Sequence, residues 1–173
     1  MTATADPHGR PAALEPCPGC GELLLAIDGP LHSYVGASSA CWTRFADISA
    51  TLPGGGTPLR RLVIDAYMVQ HPGLPERRAI QSVGLHLVAL HLVLERGLAP
   101  DRLSAALQRV LVTPPAWRWL DPPSPNGPLS IGDVSAAAGD GRELGPVIDA
   151  YVEGIWAAWK VHHGVVVAWA KGA

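Results

Sequence analysis

The sequence has few of the features that mark exported or membrane-bound proteins. It has only three cysteines, an odd number that argues against a disulfide framework. No apolar signal core precedes Pro16. The longest apolar run, from Val83 to Leu94, is interrupted by two histidines and is too short to span a bilayer. We therefore expect a cytoplasmic protein without a membrane partner.

Charge is also scarce, since charged residues make up 16% of the chain and the formal net charge is -2. Nucleic-acid binders usually concentrate basic residues on one face, but Arg60-Arg61 and Arg77-Arg78 are the only tight basic pairs. A nucleic-acid partner is therefore not expected. The triple glycine 54–56 lacks the lysine and the preceding strand of a phosphate-binding loop. No nucleophile motif or dinucleotide fingerprint names a reaction.

Apolar residues, at 48% of the chain, are abundant enough for a sizeable core, and their spacing predicts an all-α fold, a small helical bundle. Helices are predicted over 42–52, 59–70, 76–96 and 103–112, shortly after Asp133, and as one continuous element from Ile148 to Trp169. The proline-rich segment 113–132 predicts a long ordered loop. We expect residues 1–15 to form a flexible tail and residues 16–173 a single domain.

A metal-binding motif lies in the irregular segment 16–41, which is too poor in periodic apolar residues to order itself. Cys17 and Cys20 form a C-x-x-C turn of the kind found in zinc knuckles. Zinc prefers four ligands, and His32 and Cys41 are the next candidates along the chain. The sequence therefore predicts one Zn²⁺ held by these four residues. A redox C-x-x-C, a segment without metal, and a structural or catalytic role for the zinc remain as alternatives.

A second set of polar residues lies within apolar helices: Asp65, His71, His86, His162 and His163. Buried polar side chains need partners, so these residues are candidates for a pocket with acid–base function or for a second metal site. The simpler interpretation is that each histidine is a core residue bonded to a nearby carbonyl or carboxylate.

The order of these motifs resembles a bacterial family, a domain of unknown function. The motifs are Cys17-x-Gly19-Cys20, Asp28-Gly29-Pro30-x-His32, Cys41-Trp42, Asp65-Ala66-Tyr67-x-Val69-Gln70-His71-Pro72-Gly73, Gln81-Ser82-Val83-x-x-His86-Leu87 and Trp156-x-x-Trp159-x-x-His162-His163. The resemblance implies that both polar clusters belong to the family pattern, and it implies no activity.

Two functional hypotheses follow from these patterns. The first is a zinc-binding helical protein of unassigned function, with an enzymatic version in which the Asp and His residues line a pocket for a small molecule. The second is a non-enzymatic module, stabilised by structural zinc, that binds a protein through a tryptophan surface. That surface would contain Trp117, Trp119, Trp156 and Trp169.

Overall fold

The computed structural model describes residues 13–52 and 58–173, and the predicted small helical bundle is confirmed. Two short strands, β1 (Leu14–Pro16) and β2 (Leu23–Leu25), precede seven helices in the described part of the chain. The helices are α1 (Ser39–Thr51), α2 (Pro58–Gln70), α3 (Arg77–Leu94), α4 (Pro100–Val112), α5 (Ile131–Gly139), α6 (Leu144–Ala158) and α7 (His163–Trp169). Residues 1–12 of the expected tail and the triple glycine 54–56 lie outside the described residues.

The N-terminal segment is more regular than its composition predicts. β1 and β2 pair as an antiparallel hairpin in which Leu14 lies opposite Leu25. Residues 14 and 15, which were expected in the flexible tail, are therefore part of a strand. The turn between the strands contains Cys17 and Cys20, so the hairpin presents both sulfurs from one tight loop.

Helix α2 lies at the centre of the packing, because it contacts both α3 and α6. Helix α3 is buried along most of its length, as its nearly continuous apolar sequence predicts, and it also packs on α4 and α7. Helix α5 connects α1 with α6. Among these described residues, no helix combines the length and apolar character needed to cross a membrane.

The predicted continuous helix from Ile148 to Trp169 is wrong. The structure instead has α6, a 3-10 turn at Lys160–His162, and then α7. The backbone carbonyl of Trp156 accepts a hydrogen bond from the Trp159 N–H at 3.1 Å and another from His163 Nε2 at 2.9 Å. Both hydrogen bonds to this carbonyl come from donors other than the N–H of Lys160, which would continue an α-helix. The α-helical hydrogen bonding is therefore interrupted here, although the apolar spacing of the sequence continues.

Two side-chain amides, those of Asn126 and Gln70, help to fix the proline-rich loop between α4 and α5 to the bundle. Asn126 donates to the carbonyl of Gln70 at 2.9 Å and accepts from Trp159 Nε1 at 3.0 Å. The Gln70 amide donates to the Asn126 carbonyl at 2.9 Å and accepts from the Tyr151 hydroxyl at 3.1 Å. This buried network orders the loop and fixes it against the end of α2, next to His71.

Candidate metal centre

Four side chains from three parts of the fold meet in one small volume. Cys17, Cys20, Cys41 and His71 each offer one ligand atom, and these atoms all lie within 4.8 Å of one another. The first two come from the hairpin turn, the third from the first turn of α1, and the fourth follows directly after α2. Three sulfurs and one imidazole nitrogen at such distances can hold a metal ion.

The hairpin turn is shaped to present its sulfurs. The Gly21 N–H donates to the Cys17 carbonyl at 2.9 Å, and the Cys17 N–H donates to the Glu22 carbonyl at the same distance. Gly21 has a φ of 76°, a left-handed conformation that favours glycine. A Cβ at Gly19 would overlap the imidazole of His71, so the turn approaches the fourth residue closely.

Cys41 is positioned by the start of α1. Ser38 caps this helix by accepting a hydrogen bond from the Cys41 N–H at 3.4 Å. The Cys41 sulfur lies 4.0 Å from the Cys20 sulfur and accepts a hydrogen bond from the Tyr67 hydroxyl at 3.5 Å. Burial raises the pKa of Tyr67 well above its usual value, so the hydroxyl keeps the proton that it donates.

His71 is oriented as metal-binding histidines are. Its Nδ1 lies 2.8 Å from the carbonyl of Tyr67, which only accepts, so Nδ1 carries the proton. The lone pair of Nε2 is therefore free, and Nε2 lies 3.3 Å from the Cys41 sulfur. The side chain is fully buried and stacks on the ring of Tyr67. A backbone bond that fixes the tautomer is the usual outer contact of a metal ligand.

Hydrogen bonds among the three thiols shift their pKa values in different directions. Hydrogen bonds from Cys20 and Cys41 hold the pKa of the Cys17 thiol well below its usual value. The hydrogen bond between Cys20 and Cys17 raises the pKa of Cys20 to about 11. The hydrogen bond between Cys41 and Cys17 likewise raises the pKa of Cys41. Three ionised sulfurs at these distances would repel one another, so a cation is needed before all three become thiolates.

His32, predicted as the fourth ligand, does not belong to the group of four. Its ring packs edge-on against Tyr34 and tilts over Trp42, and its buried Nδ1 has no hydrogen-bond partner. The sequence prediction placed all four metal ligands within the N-terminal segment. The structure instead brings in His71, which lies thirty residues beyond Cys41 in the chain.

The other candidate residues do not converge with His71. His86 bonds to Asp65, His162 Nε2 donates to the carbonyl of Asp121, and His163 Nε2 donates to the carbonyl of Trp156. Within residues 13–52 and 58–173, no hydrogen bond joins two of these histidines. The predicted single pocket is therefore replaced by separate local contacts, and among the described residues Asp65 and His86 are the only two of these candidates joined by a hydrogen bond.

The tryptophans do not form the exposed surface that the second hypothesis needs. Trp156 and Trp169 are buried, and Trp119 is half-buried. Trp117 lies on the backbone of Gly84 with its ring 5.0 Å from that of Trp169. These rings are part of the core and its cover. Exposed leucines are found instead on one face of the hairpin, where Leu14 lies next to Leu25.

A cleft of about 780 Å³ opens beside the four residues. The cleft is lined by Cys20 of the sulfur-bearing turn, by the segments around Tyr34 and Gly73, and by the proline-rich loop near Asn126. Gly73 has a φ of 70°, and a Cβ there would meet the carbonyl of Tyr34 at 2.6 Å. The segments around Tyr34 and Gly73 therefore pack backbone to backbone.

Comparison with known families matches residues 15–160 to a model described as a family of unknown function, DUF5946. The chain belongs to this family. The matched range contains all four residues of the cluster together with Asp65 and His86, and the resemblance seen in the sequence is thereby confirmed. No curated protein and no solved structure matches the chain.

Proposed function

We propose that Cys17, Cys20, Cys41 and His71 bind one Zn²⁺. The observation that carries this proposal is the convergence of four ligand atoms within 4.8 Å. Three thiolates with one imidazole are a donor set that zinc prefers, and the cluster includes no oxygen ligand of the kind that magnesium or calcium needs. The fixed tautomer of His71 supports the assignment, because Nε2 already faces the sulfurs.

The zinc is structural in this proposal. Four protein ligands complete a tetrahedral shell and leave no position for a reacting water. The ion would join the hairpin turn, the start of α1 and the end of α2 at one point. Its binding free energy would therefore contribute to the stability of the N-terminal segment.

The function that this arrangement supports best is the binding of a small molecule in the cleft beside the zinc. The cleft volume lies in the range typical of ligand pockets, and Cys20, Tyr34 and Gly73 belong to segments that the metal ligands hold in place. Zinc would thus pre-organise the walls of the cleft, which reduces the entropy cost of binding.

Two measurements test the proposal. Elemental analysis of the purified protein should give about one zinc per chain, as the ligand count requires, and most of it should be lost on Cys17→Ser. Ligand-observed NMR with a fragment library should detect binders whose signals are lost when Ser33→Trp fills the cleft. Val161→Trp, at an exposed position elsewhere, should leave them unchanged. Binding that is equal in both variants would refute the cleft assignment.

A second candidate function is a protein-interaction module, favoured by the exposed leucines of the hairpin. Leu14, Leu23 and Leu25 are between 48% and 62% exposed and lie on one face of the two strands. Large apolar side chains grouped on a surface often mark a protein contact. A photo-crosslinking residue at Leu23 should trap a protein in the native cell, whereas one at Val161, which is even more exposed, should not. No crosslink at Leu23 would count against this function.

A further inference from the structure

A carboxylate is buried between α2 and α3, outside the metal cluster. Among the described residues, Asp65 is the only Asp or Glu that is fully buried. One of its oxygens accepts from Arg61 Nε at 2.8 Å and the other from His86 Nδ1 at 2.7 Å. Removing a carboxylate from water is costly, and an apolar residue would stabilise this position more simply. The cost of burying Asp65 therefore indicates that its contact with His86 has a role beyond stability.

The carboxylate fixes the tautomer of the imidazole, that is, which ring nitrogen carries the proton. A carboxylate oxygen only accepts, so Nδ1 of His86 carries a proton and the neutral ring has its lone pair on Nε2. No hydrogen bond to Nε2 is found within the described chain. The His86 side chain is 16% exposed and lines a surface pocket of about 430 Å³. Asp65 thus orients the imidazole as a base, and Nε2 is the ring nitrogen available to a molecule in the pocket.

The walls of this pocket are suited to an anion. Arg78 and Gln81 provide N–H donors, and Ser82 lies one helical turn before His86 on the same face of α3. Arg78 is exposed and forms no ion pair with any residue that the structure describes. A guanidinium with free donors binds carboxylates and phosphates in a two-pronged geometry. Tyr34 contributes to this pocket and also to the cleft beside the metal cluster.

We propose that Asp65 and His86 form an acid–base pair that acts on a small carboxylate- or phosphate-bearing molecule. Nε2 of His86 accepts the proton of an O–H group of that molecule, and the electron pair of the broken bond stays on the oxygen. The resulting imidazolium is stabilised by the Asp65 carboxylate, while Arg78 holds the anionic group. His86 is the catalytic residue and Asp65 a positioning residue. The proposal does not depend on zinc.

The test uses the full chain with its metal and two probes, diethyl pyrocarbonate and inorganic phosphate. Diethyl pyrocarbonate transfers an ethoxyformyl group to an unprotonated imidazole nitrogen and releases ethanol and carbon dioxide. Peptide mass mapping should show modification at His86, slowed by inorganic phosphate. Arg78→Gln should keep the modification and lose the phosphate protection. An unmodified His86, or modification indifferent to phosphate in the wild-type chain, would overturn the proposal.

Two variants separate this site from a purely structural tie between the helices. His86→Asn keeps an N–H donor where Nδ1 lies and removes Nε2, so its melting temperature should stay close to wild type while total uptake of the reagent falls by one group per chain. Asp65→Asn can donate to Nδ1 and should move the proton to Nε2, visible as a tautomer change in ¹⁵N NMR and as slower modification of His86. A wild-type ring protonated on Nε2, or an unchanged tautomer in folded Asp65→Asn, would leave only the structural tie.

Discussion

Replacing His71 by alanine tests the metal centre most directly, because His32 offers a matched control. Both are histidines in the N-terminal half, but only His71 belongs to the group of four ligand atoms. Structural zinc sites contribute about 10–16 kcal/mol of binding free energy, so an even share for each of four ligands is about 2.5–4 kcal/mol. A loss of that size weakens zinc affinity about 10²–10³-fold, since each tenfold step corresponds to about 1.4 kcal/mol.

Competition with a chromophoric chelator gives the dissociation constants, and cobalt substitution gives the geometry. His71→Ala should lose affinity by the stated factor and alter the absorption bands of the tetrahedral cobalt form. His32→Ala should retain the zinc stoichiometry, the affinity and the spectrum of the wild-type chain. If His32→Ala released the metal and His71→Ala kept it, the ligand set derived from the structure would be wrong and the sequence prediction right.

Three further results are expected. Chelation of zinc should lower the melting temperature and accelerate hydrogen exchange in residues 17–41 before α3, and an unchanged exchange pattern would argue against a structural metal. Gly19→Ala should weaken zinc affinity about 10–100-fold by displacing the His71 ring, whereas Gly145→Ala, whose Cβ meets no neighbour, should not, as competition titration would show. Burial, assisted by Arg96, lowers the pKa of His91 below its ordinary 6.5, so the unfolded chain binds this proton more readily. Stability should therefore fall as the pH drops below about 6.5, and denaturant titrations should show a smaller fall in His91→Leu.

The positions of most helices could be predicted from the sequence because each depends on local information. Pro58, Pro72 and Gly97 border apolar runs with helical spacing, and the observed ends of α2 and α3 lie within a few residues of the predicted ones. The break after α6 could not be found in this way. It depends on His163 reaching the carbonyl of Trp156, a contact that leaves the apolar period unchanged.

The metal ligands show the same division between local and distant information. The C-x-x-C spacing identifies Cys17 and Cys20 as metal ligands, and Cys41 follows because no other cysteine exists. His71 is joined to them only by the packing of α2, so no spacing rule reaches it. One signal was present in the sequence: His71 directly ends an apolar helix before Pro72, which indicates a buried polar residue in need of a partner.

The placement of Trp42 gives the protein an optical signal of its own. This ring follows Cys41 directly in the chain and lies 6.0 Å from Tyr67, whose hydroxyl contacts the Cys41 sulfur. Trp156 and Trp159 lie in α6 and at its end, within the bundle. Emission from Trp42 alone, obtained by replacing the other tryptophans with phenylalanine, would follow metal loading, and emission from Trp159 alone would follow unfolding of the bundle. Two single-tryptophan variants of the chain could thus report metal exchange and global stability separately by fluorescence.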